Sequence, residues 1–158
     1  MSLDASDTTL RSLLEELAAA RGKLAGRASM AVVELAADRG ESTPLHVHAE
    51  PEALHVLAGA LTVHVGVDTV TLGAGETLLA PAGVAHAHSA HADGTRYVAA
   101  SFVRSVDLYE SFLAAVAPPR PGAHEEHESD RVVELLAAAN GITVLGPPGD
   151  LPAAALAA

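Results

Sequence analysis

At 158 residues with no cysteine, the chain has the length of one domain, able to bury about 70% of its unfolded surface without a disulfide; thiolate ligands and cysteine nucleophiles are excluded. A formal charge of −11 disfavours nucleic acid and anionic membranes, both of which need a basic footprint. No stretch reaches the roughly 18 apolar residues of a membrane span, and Asp4 and Asp7 stand where a signal peptide would carry positive charge, so a cytoplasmic protein acting on a small molecule is expected.

Leu10, Leu13, Leu14 and Leu17 recur at helical spacing between Thr8 and Arg21, with Asp7 or Thr8 as cap and Gly22 as stop. This predicts an amphipathic N-terminal helix within residues 1–26, packed on the domain or on a second subunit. Met30 to Ala37 reads as a first strand, with Glu34 solvated or paired to an arginine at the sheet edge, and Asp38-Arg39-Gly40 as a turn.

The next stretch carries the chemistry. His46 and His48, two apart in an extended segment after Pro44, project from one face and can share an ion. Glu52 follows after a bend, and His86 comes from a separate strand. Two histidines at this spacing are by themselves more often core residues than ligands. With Glu52 and His86 they make three imidazoles and a carboxylate, a set suited to Fe, Mn, Ni, Co, Cu or Zn and too rich in nitrogen for Mg or Ca. Along Glu52 to Leu57, parity points Leu54 and Val56 inward and His55 outward. After the turn at Gly59, Leu61, Val63 and Val65 alternate with Thr62, His64 and Gly66, which places His64 outside as well. Residues 67–72 read as a further short strand. His88 shares the face of His86 and is either a hydrogen-bond partner of the site, a substrate contact or a filler. His91 sits beside the turn Ala92-Asp93-Gly94.

Arg96 to Val103 reads as the last strand of the β unit at 27–106. Residues 107–158 then hold a helix capped by Asp107 with Leu108, Phe112 and Leu113 on one face, a charged solvated linker at His124 to Asp130, and a helix at Arg131 to Ala139. That helix is capped by Ser129 or Asp130 and stopped by Asn140-Gly141. Ile142 to Leu145 is extended, followed by a Pro/Ala tail. The two histidines of the linker are three apart and miss the spacing of a zinc-protease helix.

Gly40, His46, His48, Glu52 and Gly59 are spaced as in the first motif of the cupin superfamily, and Gly75, Pro81, Gly83 and His86 resemble the second, whose final asparagine is replaced by Ala90. Fifteen residues, 60–74, separate the motifs, as in small single-domain cupins. The resemblance implies a mainly β, jelly-roll antiparallel barrel of six to eight strands with one divalent transition metal held by His46, His48, Glu52 and His86. The C-terminal pattern ending in Asn-Gly-Ile-Thr-Val-Leu-Gly-Pro-Pro looks like single-domain cupins related to quercetin 2,3-dioxygenase. That narrower likeness implies a metal-dependent dioxygenase acting on a chelating enol or flavonol, with Glu52 as both ligand and catalytic base and Leu54, His88, Tyr97 and Phe102 around the substrate. A metal-dependent isomerase or hydrolase, or a non-catalytic binding protein, fits the same cage. Two Phe, two Tyr and no Trp offer little for stacking a large flavonol. Small cupins usually pair, so a homodimer is expected.

Overall fold

The computed structural model describes residues 29–103, 105–116 and 126–152. Among them are nine strands: β1 (Ser29–Ala37), β2 (Pro44–His48), β3 (Glu52–Ala58), β4 (Ala60–Val65), β5 (Asp68–Gly73), β6 (Thr77–Ala80), β7 (His86–Ala90), β8 (Thr95–Val103) and β9 (Ile142–Pro148). The two described helices are α1 (Val106–Val116) and α2 (Glu126–Ala139). The helix expected near Leu10 to Leu17 lies outside the described residues.

The strands form two antiparallel sheets, ordered β1-β8-β3-β6 and β5-β4-β7-β2-β9, and not the closed barrel expected from the sequence. The chain changes sheet at corners whose residues cannot continue a ladder. Pro51 lacks the N–H needed between β2 and β3, and Gly73 to Gly75 turns the chain from β5 to β6. At Gly59, between β3 and β4, φ is +77° and a Cβ would stand 2.8 Å from the Thr95 Cα, so only glycine passes.

The facing edges β1 and β9 do not pair. Between them lies the α1–α2 hairpin, whose Tyr109, Phe112, Leu113 and Ala137 cluster with Ala31 of β1, Val103 of β8 and Ile142 of β9. Apolar packing of the helices here shields the sheets from further pairing without closing them into a barrel. A second cluster between the sheets joins Leu54, Val56, Leu61, Val63, Leu72, Tyr97 and Ala99. Alternation along each strand turns these inward, and each such large side chain stabilises by about 1.5–3 kcal/mol when fully buried.

Several local expectations need correction. Ser105 and not Asp107 caps α1, its hydroxyl accepting from the Leu108 N–H at 3.4 Å, and Leu108 is exposed while Tyr109 takes the buried stripe. Helix α2 begins at Glu126, so the expected linker loses its second half to helix and the expected caps Ser129 and Asp130 fall inside it. Residues 142–145, read as merely extended, belong to β9, which pairs with the ligand strand β2. The Asn140-Gly141 stop is present, with Gly141 at φ 71°. Glu34 pairs with Arg96 across β1 and β8, Nε to Oε1 at 2.8 Å, as expected for a charge at the sheet edge. At Ala90, where the second motif lacks its asparagine, the backbone N–H donates to Glu41 O and the C=O accepts from Gly40 N. The strand end is held by the main chain.

Candidate metal centre

Strand parity and register bring four donors to one point between the sheets. His46 and His48 project from the inner face of β2, and His86 of β7 stands directly opposite His46 in the ladder. Glu52 reaches in from β3 of the other sheet, where it pairs with Ser101 of β8 and Ala80 of β6. The Gly83 N–H, at φ 71°, donates to His48 O at 2.8 Å, tying the corner before His86 to the strand that carries the other two imidazoles.

Each imidazole is oriented by a carbonyl two residues away. Nδ1–H of His46 donates to Pro44 O at 2.7 Å, that of His48 to Glu50 O at 2.6 Å and that of His86 to Val84 O at 2.8 Å. A carbonyl can only accept, so the proton is on Nδ1 in all three rings and every Nε2 turns to the centre. This is the outer hydrogen bonding that a metal-bound histidine uses. All four residues are buried, and their donor atoms lie within 4.8 Å of one another. Bonds of about 2.1 Å set two opposite ligands about 4.2 Å apart, so a contraction of some tenths of an ångström closes the cage on one ion. His86 Nε2 has no hydrogen-bond partner, which costs about 1–3 kcal/mol in a buried site unless something coordinates it. The cluster of three histidines and one glutamate therefore suits a single transition-metal ion.

The electrostatics agree. Burial holds His46 near pKa 4 despite the raising effect of Glu52, so it is neutral and free to donate its lone pair. At His48 burial also lowers, but the hydrogen bond and charge of Glu52 outweigh it and the net shift is upward. Its Nε2 lies 3.2 Å from Glu52 Oε2. With Nδ1 already donating, that contact requires the imidazolium, whose second proton occupies the place of a cation. Burial would raise Glu52, yet the His48 hydrogen bond and the charges of His86, His46 and His48 carry it below the usual carboxylate range. It stays negative as a counter-charge.

Leu54 is fully buried in the core cluster between the sheets. His88 and Tyr97 meet there, His88 Nε2 and Tyr97 Oη sharing a hydrogen bond of 3.0 Å. Burial lowers His88 to about 4 and raises the Tyr97 hydroxyl above its ordinary range. The two residues border a cavity of about 40 Å3 on the far side, lined also by Leu35, Thr43 and Leu113. Phe102, five residues after Tyr97, falls on the opposite face of β8 with Ala53 and Ala100. His55, expected outside, is buried and bonded to Thr77 Oγ1 at 2.7 Å. His64 is half-buried, 2.9 Å from Thr69 Oγ1, and His91 is exposed.

Sequence reasoning missed Tyr109 and Asn140. Both border a cavity of about 10 Å3 together with His48, Ser101, Phe102 and Ile142. A tyrosine at helical spacing with Phe112 and Leu113, in a chain with only two tyrosines, was the available signal for the first. Asn140 was legible only as a helix stop.

Residues 33–100 match the cupin domain family. The matched cupin segment contains all four donors and ends before the helices and β9. No curated protein matches the chain. Among solved structures, KdgF from Halomonas sp. is similar at 22% identity, covering 50% of this chain and 73% of its own, with a TM-score of 0.47. TT1209 from Thermus thermophilus is similar at 22% identity over 49% of this chain and 75% of its own, TM-score 0.44. Oxalate decarboxylase from Bacillus subtilis, described with Mn(II) centers, is similar at 24% identity over 47% and 21%, TM-score 0.43. Among the described residues no helix is long and apolar enough to cross a membrane.

Proposed function

We propose that the chain binds one divalent transition-metal ion through His46, His48, Glu52 and His86 and acts as a metal-dependent dioxygenase on a small substrate that chelates through oxygen. The observation that carries the metal reading is the set of three Nδ1–H bonds to carbonyls, which aims every Nε2 at Glu52. An ion there supplies Lewis acidity and, if redox-active, electron exchange with dioxygen. His46, His48, Glu52 and His86 would hold such an ion with four donors, and would leave it able to take a substrate oxygen as well.

The chain's own residues do the rest. His46, His48 and His86 fix the site from one sheet, while Glu52 offsets the cation's charge and stands beside the ligand positions. A carboxylate held as low as Glu52 is a strong ligand and, in the resting site, a weak base. With His48 engaged as a ligand, Glu52 would be released from this hydrogen bond and would be the residue placed to accept a substrate hydroxyl proton. Burial of all four residues excludes water. The cavity beside His48, about 10 Å3, is far below the roughly 300 Å3 at which drug-sized ligand pockets begin. A small enediol therefore suits the site better than a flavonol.

The test is an oxygen electrode. Protein reconstituted with Fe(II), Ni(II), Mn(II) or Co(II) is given small enediols, and uptake of dioxygen that disappears in His86→Ala is expected. Turnover under strict anaerobiosis would move the assignment to Lewis-acid isomerisation or hydrolysis in the same cage. Binding without turnover would leave a small-molecule-binding protein.

A further inference from the structure

Two polar atoms on the helical hairpin are buried without a well-formed hydrogen bond: Tyr109 Oη on α1, which faces the Glu52 carboxylate, and Asn140 Oδ1 at the end of α2. Such groups cost stability and are kept where a ligand completes them. They border the same cavity, next to His48. The orientation of Asn140 is fixed, because its Nδ2 donates to Leu108 O at 2.9 Å and to Leu136 O at 2.8 Å; Oδ1 is therefore the free atom, and an acceptor. Tyr109 is 2% exposed and packed between Phe112, Leu113 and Val103, so its ring is held. Burial, the nearby charge of Glu52 and a hydrogen bond toward that carboxylate keep its hydroxyl protonated, hence able to donate.

We infer that Tyr109 and Asn140 form the ligand-reading wall of the metal centre. Tyr109 donates to an anionic oxygen held in the cage, and Asn140 accepts from a hydroxyl on the neighbouring carbon. Resting on the metal reading above, this narrows the ligand to small molecules with an ionised oxygen next to a hydroxyl, such as α-hydroxy acids and enediols. The cavity, about 10 Å3, admits roughly one water-sized group, the hydroxyl of such a ligand, so the carbons that carry it need the α1–α2 hairpin to shift. Neither residue lies in the segment that matches the cupin domain, so this wall is supplied by the part of the chain outside that segment.

Zn(II)-loaded protein and glycolate, the smallest α-hydroxy acid, provide the test. Tyr109→Phe removes a hydroxyl whose polar neighbour is the Glu52 carboxylate. Its metal-free melting temperature should stay close to that of the wild type, and its Zn(II) affinity in chelator competition should stay within about twofold. Calorimetric affinity for glycolate should fall about ten-fold or more, the loss of one hydrogen bond to a charged oxygen. In wild type labelled at tyrosine, glycolate should shift one of two tyrosine signals, the one absent from Tyr109→Phe. Equal glycolate affinity in the two proteins, or no shift, overturns the inference while leaving the metal reading intact. A lower melting temperature in Tyr109→Phe with unchanged glycolate binding marks a structural hydroxyl and overturns it too. Failure of the wild type to take up Zn(II) overturns the metal reading itself.

Discussion

Acid should unfold the metal-free protein in a window set by two buried histidines. An unfolded imidazole takes its proton near 6.5, whereas His46 and His88 in the fold do so only near 4. Between these values the unfolded chain binds more protons, so stability is whole above pH 6.5 and falls as pH drops toward 4. The interval of 6.5 to about 4, at about 1.4 kcal/mol per pH unit, gives about 3 kcal/mol for each group. Together they approach the whole stability of an ordinary domain, about 5–15 kcal/mol. His48 works in the opposite sense and elsewhere. Its raised value adds stability that is whole below 6.5 and fades as pH rises through the folded value. Glu52, lowered from 4.5, adds stability that is lost only below that pH. Urea unfolding of chelator-treated protein at pH 7, 6, 5 and 4.5 should show the loss, and His88→Phe should reduce it by about half. A stability that is flat or rising from pH 6.5 down to 5 would refute the argument that these imidazoles are buried in neutral form.

Gly59→Ala should destabilise by about 1–3 kcal/mol, through a positive φ and a clash with the Thr95 backbone, read as a lower urea midpoint. Asn140→Leu should cost about 2 kcal/mol, since it deletes one hydrogen bond that links Leu108 of α1 to the end of α2 and a second, to Leu136 O, that closes α2 itself; an unchanged midpoint would show that the hairpin is held by its apolar contacts alone. Glu34→Ala should change stability by less than about 1 kcal/mol, because the Glu34–Arg96 pair is about half exposed on both sides.

The four candidate ligands were legible in the sequence through the spacing of the two cupin motifs, and strand parity, which is strict, explains only why two of them share a face. Residues two apart share a face, so His46 with His48, and His86 with His88, could be placed before any coordinates. The same parity separates Tyr97 from Phe102, an odd number apart, and the two border different cavities, Tyr97 the one with His88 and Phe102 the one beside His48. His55 was correctly turned away from Leu54, but burial of the outer face at Ala53, His55 and Ala100 depends on packing that no strand period encodes. The sheet edges were the larger gap. Whether β1 meets β9 or a helical hairpin lies between them is decided by contacts between residues far apart in the chain, and local pattern is silent on those. For the same reason Tyr109 and Asn140 read as a stripe residue and a stop signal, although the fold delivers both to the centre.

Elemental analysis of protein purified without a chelating tag addresses the central claim most directly, for wild type beside His48→Ala and Glu52→Ala. The account predicts about one Fe, Mn, Ni, Co, Cu or Zn per chain in the wild type, and loss of that metal in both variants. A wild type that contains no transition metal and takes up none on reconstitution would contradict it.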